Sequence, residues 1–162
     1  MQQTMKILET SIFEVFEKMF FLYLESIEPA DTEPCLKASI SFAGAGGGTV
    51  DLYLSDDLAT RMAQNMLSIE ADEVDDNQRE DCAREAVNMI CGHFLAMTDR
   101  NGCYDLTIPR CGPVEGPVPN AGERLDYGVG DETWAMTVLL SGSDGGSGVN
   151  ETGPAPGEGR AW

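Results

Sequence analysis

Leu36, Ala38, Ile40 and Phe42 alternate with Lys37, Ser39 and Ser41. After a glycine-rich turn over residues 43–48, the alternation resumes at Val50, Leu52 and Leu54. An apolar period of two places every second side chain on one face of a pleated strand, so each strand has one face to bury. Two such strands joined by a short turn read as an antiparallel hairpin. This pairing commits the chain to a sheet with a covered face and an open one, and the rest of the sequence must supply the cover. The turn, Gly44-Ala45-Gly46-Gly47-Gly48, is not a phosphate loop. No Lys-Ser/Thr follows, and a strand rather than a helix comes next, so no helix N-terminus faces an anion.

The cover is helical. Ile7, Leu8, Ile12, Val15, Phe16, Met19, Phe20 and Leu22 recur at helical spacing and predict a first helix over residues 5–25. It is apolar over more than half its girth, which predicts packing on two sides, against the sheet and against a partner subunit. Ser55 is a suitable N-cap, with Asp56 and Asp57 at the positive end of a helix dipole, and Leu58, Met62, Met66 and Ile69 give a second helix its apolar stripe. A third, longer helix runs from about Asn77 to Thr98. Beyond it, Tyr104, Leu106 and Ile108 read as a short strand stopped by Pro109. A glycine- and proline-rich crossing follows over residues 110–122. Leu125 and Tyr127 mark one strand, and Trp134, Met136, Val138 and Leu140 the next. Strands and helices do not alternate, so the predicted class is α+β, an antiparallel sheet with helices packed on one face. Residues 1–141 form the expected domain, and 142–162, rich in Gly, Pro and Ser, read as a disordered tail.

Charge and cysteine content narrow the function classes. The formal net charge is −18 in 162 residues, which disfavours phosphate backbones and anionic lipid as partners. Nothing at the N-terminus resembles a signal peptide and the apolar run from Met19 to Leu24 is too short to span a bilayer, so a cytoplasmic protein is expected. Five cysteines, with no C-x-x-C pair, and a single histidine, His93, make no zinc-ligand pattern. Reduced, mostly buried thiols are the expectation. A Ser/His/Asp hydrolase set is absent as well.

The third helix carries the most information. At about 100° per residue, Ala83, Ala86, Val87, Ile90, Phe94 and Met97 share one broad face, while Asp81, Glu85, Asn88 and Gly92 share the opposite one. Glu85 and Asn88 are i and i+3, hence neighbours. Asn is a poor mid-helix residue because its amide competes for backbone hydrogen bonds, and Gly costs about 1 kcal/mol against Ala. A helix that carries both on its outward face has room for another surface to approach. A plain solvated face is the ordinary alternative at each of these positions taken singly.

Asp81-x-x-x-Glu85-x-x-Asn88, followed by Asn88-Met89-Ile90-Cys91-Gly92 and, downstream, by Asp105-Leu106-Thr107-Ile108-Pro109 and Gly116, resembles the CheC/CheX/FliY phosphatases of bacterial chemotaxis. The likeness covers roughly residues 5–140. The first helix offers Glu14 and Glu17 but no asparagine, so one site per chain is expected, as in the CheX type. The resemblance implies a CheC/CheX-like fold and a homodimer. It implies hydrolysis of the phosphoaspartate of a CheY-like receiver, with Asn88 orienting the attacking water and Glu85 contacting the receiver's lysine. Asp81 and Gly92 would serve partner binding. It also implies no cofactor or metal of the chain's own, Mg²⁺ being supplied by the receiver. A non-catalytic receiver-binding adaptor or dimerisation module, or a relative of flagellar-switch components, is the competing expectation.

Overall fold

The computed structural model describes residues 2–29, 33–99, 101–114, 116–130 and 134–142. In chain order the elements are α1 (Gln2–Phe20), β1 (Glu25–Ser26), β2 (Leu36–Ala43), β3 (Gly48–Leu54), α2 (Asp56–Leu67), α3 (Asp76–Thr98), β4 (Asp105–Leu106), β5 (Arg110–Pro113), β6 (Glu123–Gly128) and β7 (Ala135–Gly142), with a 3₁₀ turn at Ala71–Glu73. The strands form one sheet in the order β1-β6-β7-β3-β2-β4, with β5 also paired to β2, and every pairing is antiparallel. The α+β class is the one the patterning predicts. The tail expected over 142–162 lies outside the described residues apart from Gly142, the last residue of β7.

The hairpin register pairs Ala38 with Leu52 and Ile40 with Val50, and β3 in turn pairs Leu52 with Val138 and Leu54 with Met136. These residues are buried, and they face the helices. They make one core with Leu8, Ile12 and Phe16 of α1, Leu58 and Met62 of α2, and Ala83, Val87 and Ile90 of α3. The other face of β2 and β3 carries Ser39, Ser41, Thr49 and Asp51, half-buried and hydrogen-bonded to one another, with Ser39 Oγ donating to Asp51 Oδ1 at 2.5 Å.

Three features differ from those expected. The first helix ends at Phe20 rather than near residue 25. Phe21 adopts φ 55°, the left-handed region that stops a helix, and Asn65 Nδ2 donates to the freed Phe20 carbonyl at 2.6 Å. Leu22 then drops into the core and Glu25–Ser26 becomes an edge strand that sequence patterning missed. The strand expected at Tyr104–Ile108 shrinks to Asp105–Leu106, and Ile108 is 84% exposed. Pro109 interrupts the pairing but does not end it. Arg110–Pro113, assigned by sequence to a loop, pairs with Leu36–Ser39. Thr107 bridges the gap, accepting at Oγ1 from Ser41 N at 3.0 Å and donating its own N–H to Ser41 O at 2.9 Å. Proline is tolerated there because β5 is an edge. Finally, Met97, assigned to the buried face of α3, is 43% exposed, because it lies at the rim of that face near the helix end.

Candidate functional site

Helix α3 begins with a reciprocal cap. Asp75 accepts from Gln78 N at 2.8 Å, and Gln78 Oε1 accepts from Asp75 N at 2.9 Å. Arg79, inside the first turns, pairs with Asp76 and reaches Asp56 at 3.8 Å, which ties α3 to the start of α2. The helix then lies over β2, β3 and β5 with Cys82, Ala83, Ala86, Val87, Ile90, Cys91, Phe94 and Leu95 buried. That contact sets the helix's rotation, and with it which residues face outward.

Asp81, Glu85 and Gly92 are exposed on the outward face and Asn88 is half-buried beside them, so the four predicted site residues share one surface. They differ in how much of their bonding capacity is used. Asp81 is ion-paired with Arg84, which also lies 3.8 Å from Glu80. Arg84 is thus spent on the chain's own carboxylates, and so is Arg79. Among the described residues, the side chains of Glu85 and Asn88 make no hydrogen bond or ion pair. A methyl group placed at Gly92 would meet no atom within 4 Å. The fold therefore does not require glycine there.

The charge on this face is felt below it. Burial first, then Asp81 and Glu85, push the Cys82 thiol up to about 11, and burial alone pushes Cys91 to about 12. Cys111 on β5, beneath Glu80 and Arg84, rises to about 11, mainly by burial. These thiols are neutral at physiological pH and are not nucleophiles.

A contact that sequence reading did not find flanks the face. His93 follows Gly92 and points to α1. Its Nδ1 lies 3.0 Å from Ser11 Oγ and its Nε2 lies 3.0 Å from Glu14 Oε2. Ser, His and Glu are thus in line, but Ser11 is fully buried and its hydroxyl also donates to the Ile7 carbonyl at 3.0 Å. No substrate reaches it. The trio joins α1 to α3; it is not a nucleophilic site. The face itself is an open helix surface. A cavity of about 300 Å³, lined in part by Tyr53, Arg124, Asp126 and Thr137, opens on the opposite side of the sheet and contains none of the four residues. Among the described residues no group of three or more His, Cys, Asp or Glu side chains is placed to hold a metal ion, and no helix is long and apolar enough to cross a membrane.

An antiparallel sheet with helices on one face is the fold shared with CheC/CheX-like proteins of known structure. Residues 36–111 match the family described as chemotaxis phosphatase CheX. Solved structures agree in fold. The chemotaxis protein CheX from Vibrio vulnificus superposes with a TM-score of 0.69 at 16% identity, covering 85% of this chain and 96% of that one. The CheX of the CheX-CheY-BeF3-Mg complex from Borrelia burgdorferi gives 0.64 at 16%, covering 85% and 96%. CheX from Desulfovibrio desulfuricans gives 0.64 at 16%, covering 86% and 99%. No curated protein matches in sequence. The chain resembles the CheX-type members of the CheC/CheX/FliY chemotaxis phosphatase family in both matched segment and fold.

Proposed function

We propose that this chain is a response-regulator phosphatase that hydrolyses the phosphoaspartate of a CheY-like receiver through the outward face of α3. The observation that carries the reading is the pairing of Glu85 and Asn88. They are adjacent on one face, make no side-chain bond among the described residues, and lie within the segment that matches the chemotaxis phosphatase family.

An acyl phosphate is already a reactive electrophile, so the demand on the enzyme is placement. Asn88 offers a donor and an acceptor without titrating, so it can hold a water in line behind the phosphorus. A carboxylate at that position would repel the phosphoryl oxygens. The water oxygen bonds to phosphorus, the bond from phosphorus to the aspartyl oxygen breaks, and the receiver's carboxylate leaves with inorganic phosphate and a proton as the other products. Glu85, an acceptor-only carboxylate, fixes register by pairing with the receiver's lysine. Asp81, already held by Arg84, borders that contact, and Gly92 lets the partner approach the helix closely. Mg²⁺ comes with the receiver, in keeping with the receiver-bearing composition of the Borrelia complex. The chain is taken to act in the cytoplasm and as a homodimer.

The test is decay of a ³²P-labelled CheY-type receiver. Wild-type protein accelerates it, and Asn88→Ala lowers the turnover rate at least a hundredfold while leaving binding to the beryllofluoride-activated receiver within about threefold. Binding with no acceleration by the wild type would instead identify an adaptor. The homodimer is checked separately by sedimentation, where a monomer at micromolar concentration would count against it.

A further inference from the structure

Met89 is 43% exposed, a large apolar side chain on the outward face of a helix. It stands one turn after Glu85 and three residues before Gly92, about 40° from Glu85 around the axis. Its exposure is not explained by the fold, since the core of α3 is complete without it. Its surroundings are low: Gly92 has open space above it, and Ala96 one turn on is also small and exposed. Met89 is therefore a ridge flanked by a flat. Glu85, one turn before it, is the nearest carboxylate of the helix. From Ala86 to Thr98 the helix carries no carboxylate, in a chain whose formal net charge is −18.

We propose that Met89 is the apolar anchor of the receiver contact, inserting into an apolar recess of the receiver domain while Glu85 and Asn88 engage its phosphorylation site. This rests on the phosphatase reading. An unbranched thioether adapts to an irregular recess. Its place directly beside Glu85 and Asn88 on the same outward face makes it continuous with the proposed receiver contact. Asn88 acts on the reaction and Met89 on recognition, so the two residues divide turnover from affinity.

The test uses the full chain with Met89→Gln, which keeps length and helix propensity, Met89→Leu, which keeps the apolar character, and Met97→Gln as a control of equal exposure on the α1 flank. Each is titrated with a beryllofluoride-activated CheY-type receiver and assayed for ³²P decay. Met89→Gln is expected to weaken binding and raise KM about tenfold with kcat within twofold. Met89→Leu should restore both, and Met97→Gln should match wild type. Met89→Gln binding as tightly as wild type overturns the inference and leaves the phosphatase reading standing. The inference fails equally if Met97→Gln is as damaging or if Met89→Leu does not restore binding. A wild-type chain that binds no receiver in a panel overturns both.

Discussion

A methyl group added at Gly92 meets no atom within 4 Å, yet the position lies in the interior of a 23-residue helix where glycine is disfavoured. Gly92→Ala is expected to stabilise the isolated protein by about 1 kcal/mol, read as a higher urea midpoint at unchanged slope. Under the proposed function the same substitution should slow receiver dephosphorylation, because the added carbon would stand in the path of the approaching partner. A variant less stable than wild type would mean that the glycine serves this chain's own fold. Asp81 illustrates a different point at the same scale. Its ion pair with Arg84 means that it meets a partner already compensated, whereas Glu85 carries its full charge to the surface. Under the proposed function, a basic group on the receiver would be drawn to Glu85 first.

At the scale of elements, the face works only if α3 keeps its rotation. The sheet contact sets it from below, the Asp75–Gln78 cap and Arg79 hold the first turns, and the Ser11–His93–Glu14 contact holds the second half against α1. Both ring nitrogens of His93 have partners, and if the Ser11 hydroxyl donates to Ile7 O it can only accept from the ring. His93→Ala is expected to cost about 1 kcal/mol in a urea melt, a modest figure because Glu14 and His93 are both partly solvated. It should also raise amide hydrogen exchange in the second half of α3 more than in the first. Equal protection in both halves would show that the sheet alone fixes the helix. The β4–β5 edge is the second element that sequence and structure describe differently. Pro109 reads as a stop, but a proline stops only the bond its own nitrogen would donate. Once past it, Arg110–Pro113 finds the vacant edge of β2.

For the whole molecule, Cys91 and Cys111 lie on the side of α3 that meets the sheet and Cys82 lies 3.7 Å from Met66 of α2, and, chiefly through burial, Cys82, Cys91 and Cys111 are raised from 9.0 to about 11, 12 and 11. Below pH 9.0 the folded and unfolded chains both keep these protons, and the stabilisation is fully present. As pH climbs through the interval from 9.0 toward 11–12, the unfolded chain releases them first, so unfolding is increasingly favoured. Urea midpoints should therefore be flat from pH 7 to 8.5 and fall above pH 9, and Cys91→Ala should flatten the alkaline limb. A midpoint independent of pH up to 10.5 would contradict this. At neutral pH the buried Cys82 and Cys91 should resist a thiol reagent that labels the exposed Cys35 and Cys103.

Much of this arrangement follows from local pattern. The period-two runs at Leu36–Phe42 and Val50–Leu54 settle the hairpin and its buried face, because alternation with polar residues leaves one face of each strand apolar. The 3.6-residue period of α3 similarly places Asp81, Glu85, Asn88 and Gly92 on a common surface, since helix geometry relates those positions wherever the helix lies. What local pattern could not decide is everything set by chain segments far apart in sequence. Phe21 leaves the helix because Leu22 has a core to enter and Asn65 caps the freed carbonyl, a partner 45 residues away. Arg110–Pro113 becomes a strand because β2 has an unpaired edge, and nothing in those four residues says so. The pairing of Ser11 and Glu14 with His93, about 80 residues on, exists only after α1 has packed beside α3. The amino-acid order determined which side chains share a face, since a repeat is a local property of the backbone. The tertiary structure decided which face is covered, which charges are compensated and where strands end, because burial and pairing depend on what the rest of the chain brings alongside.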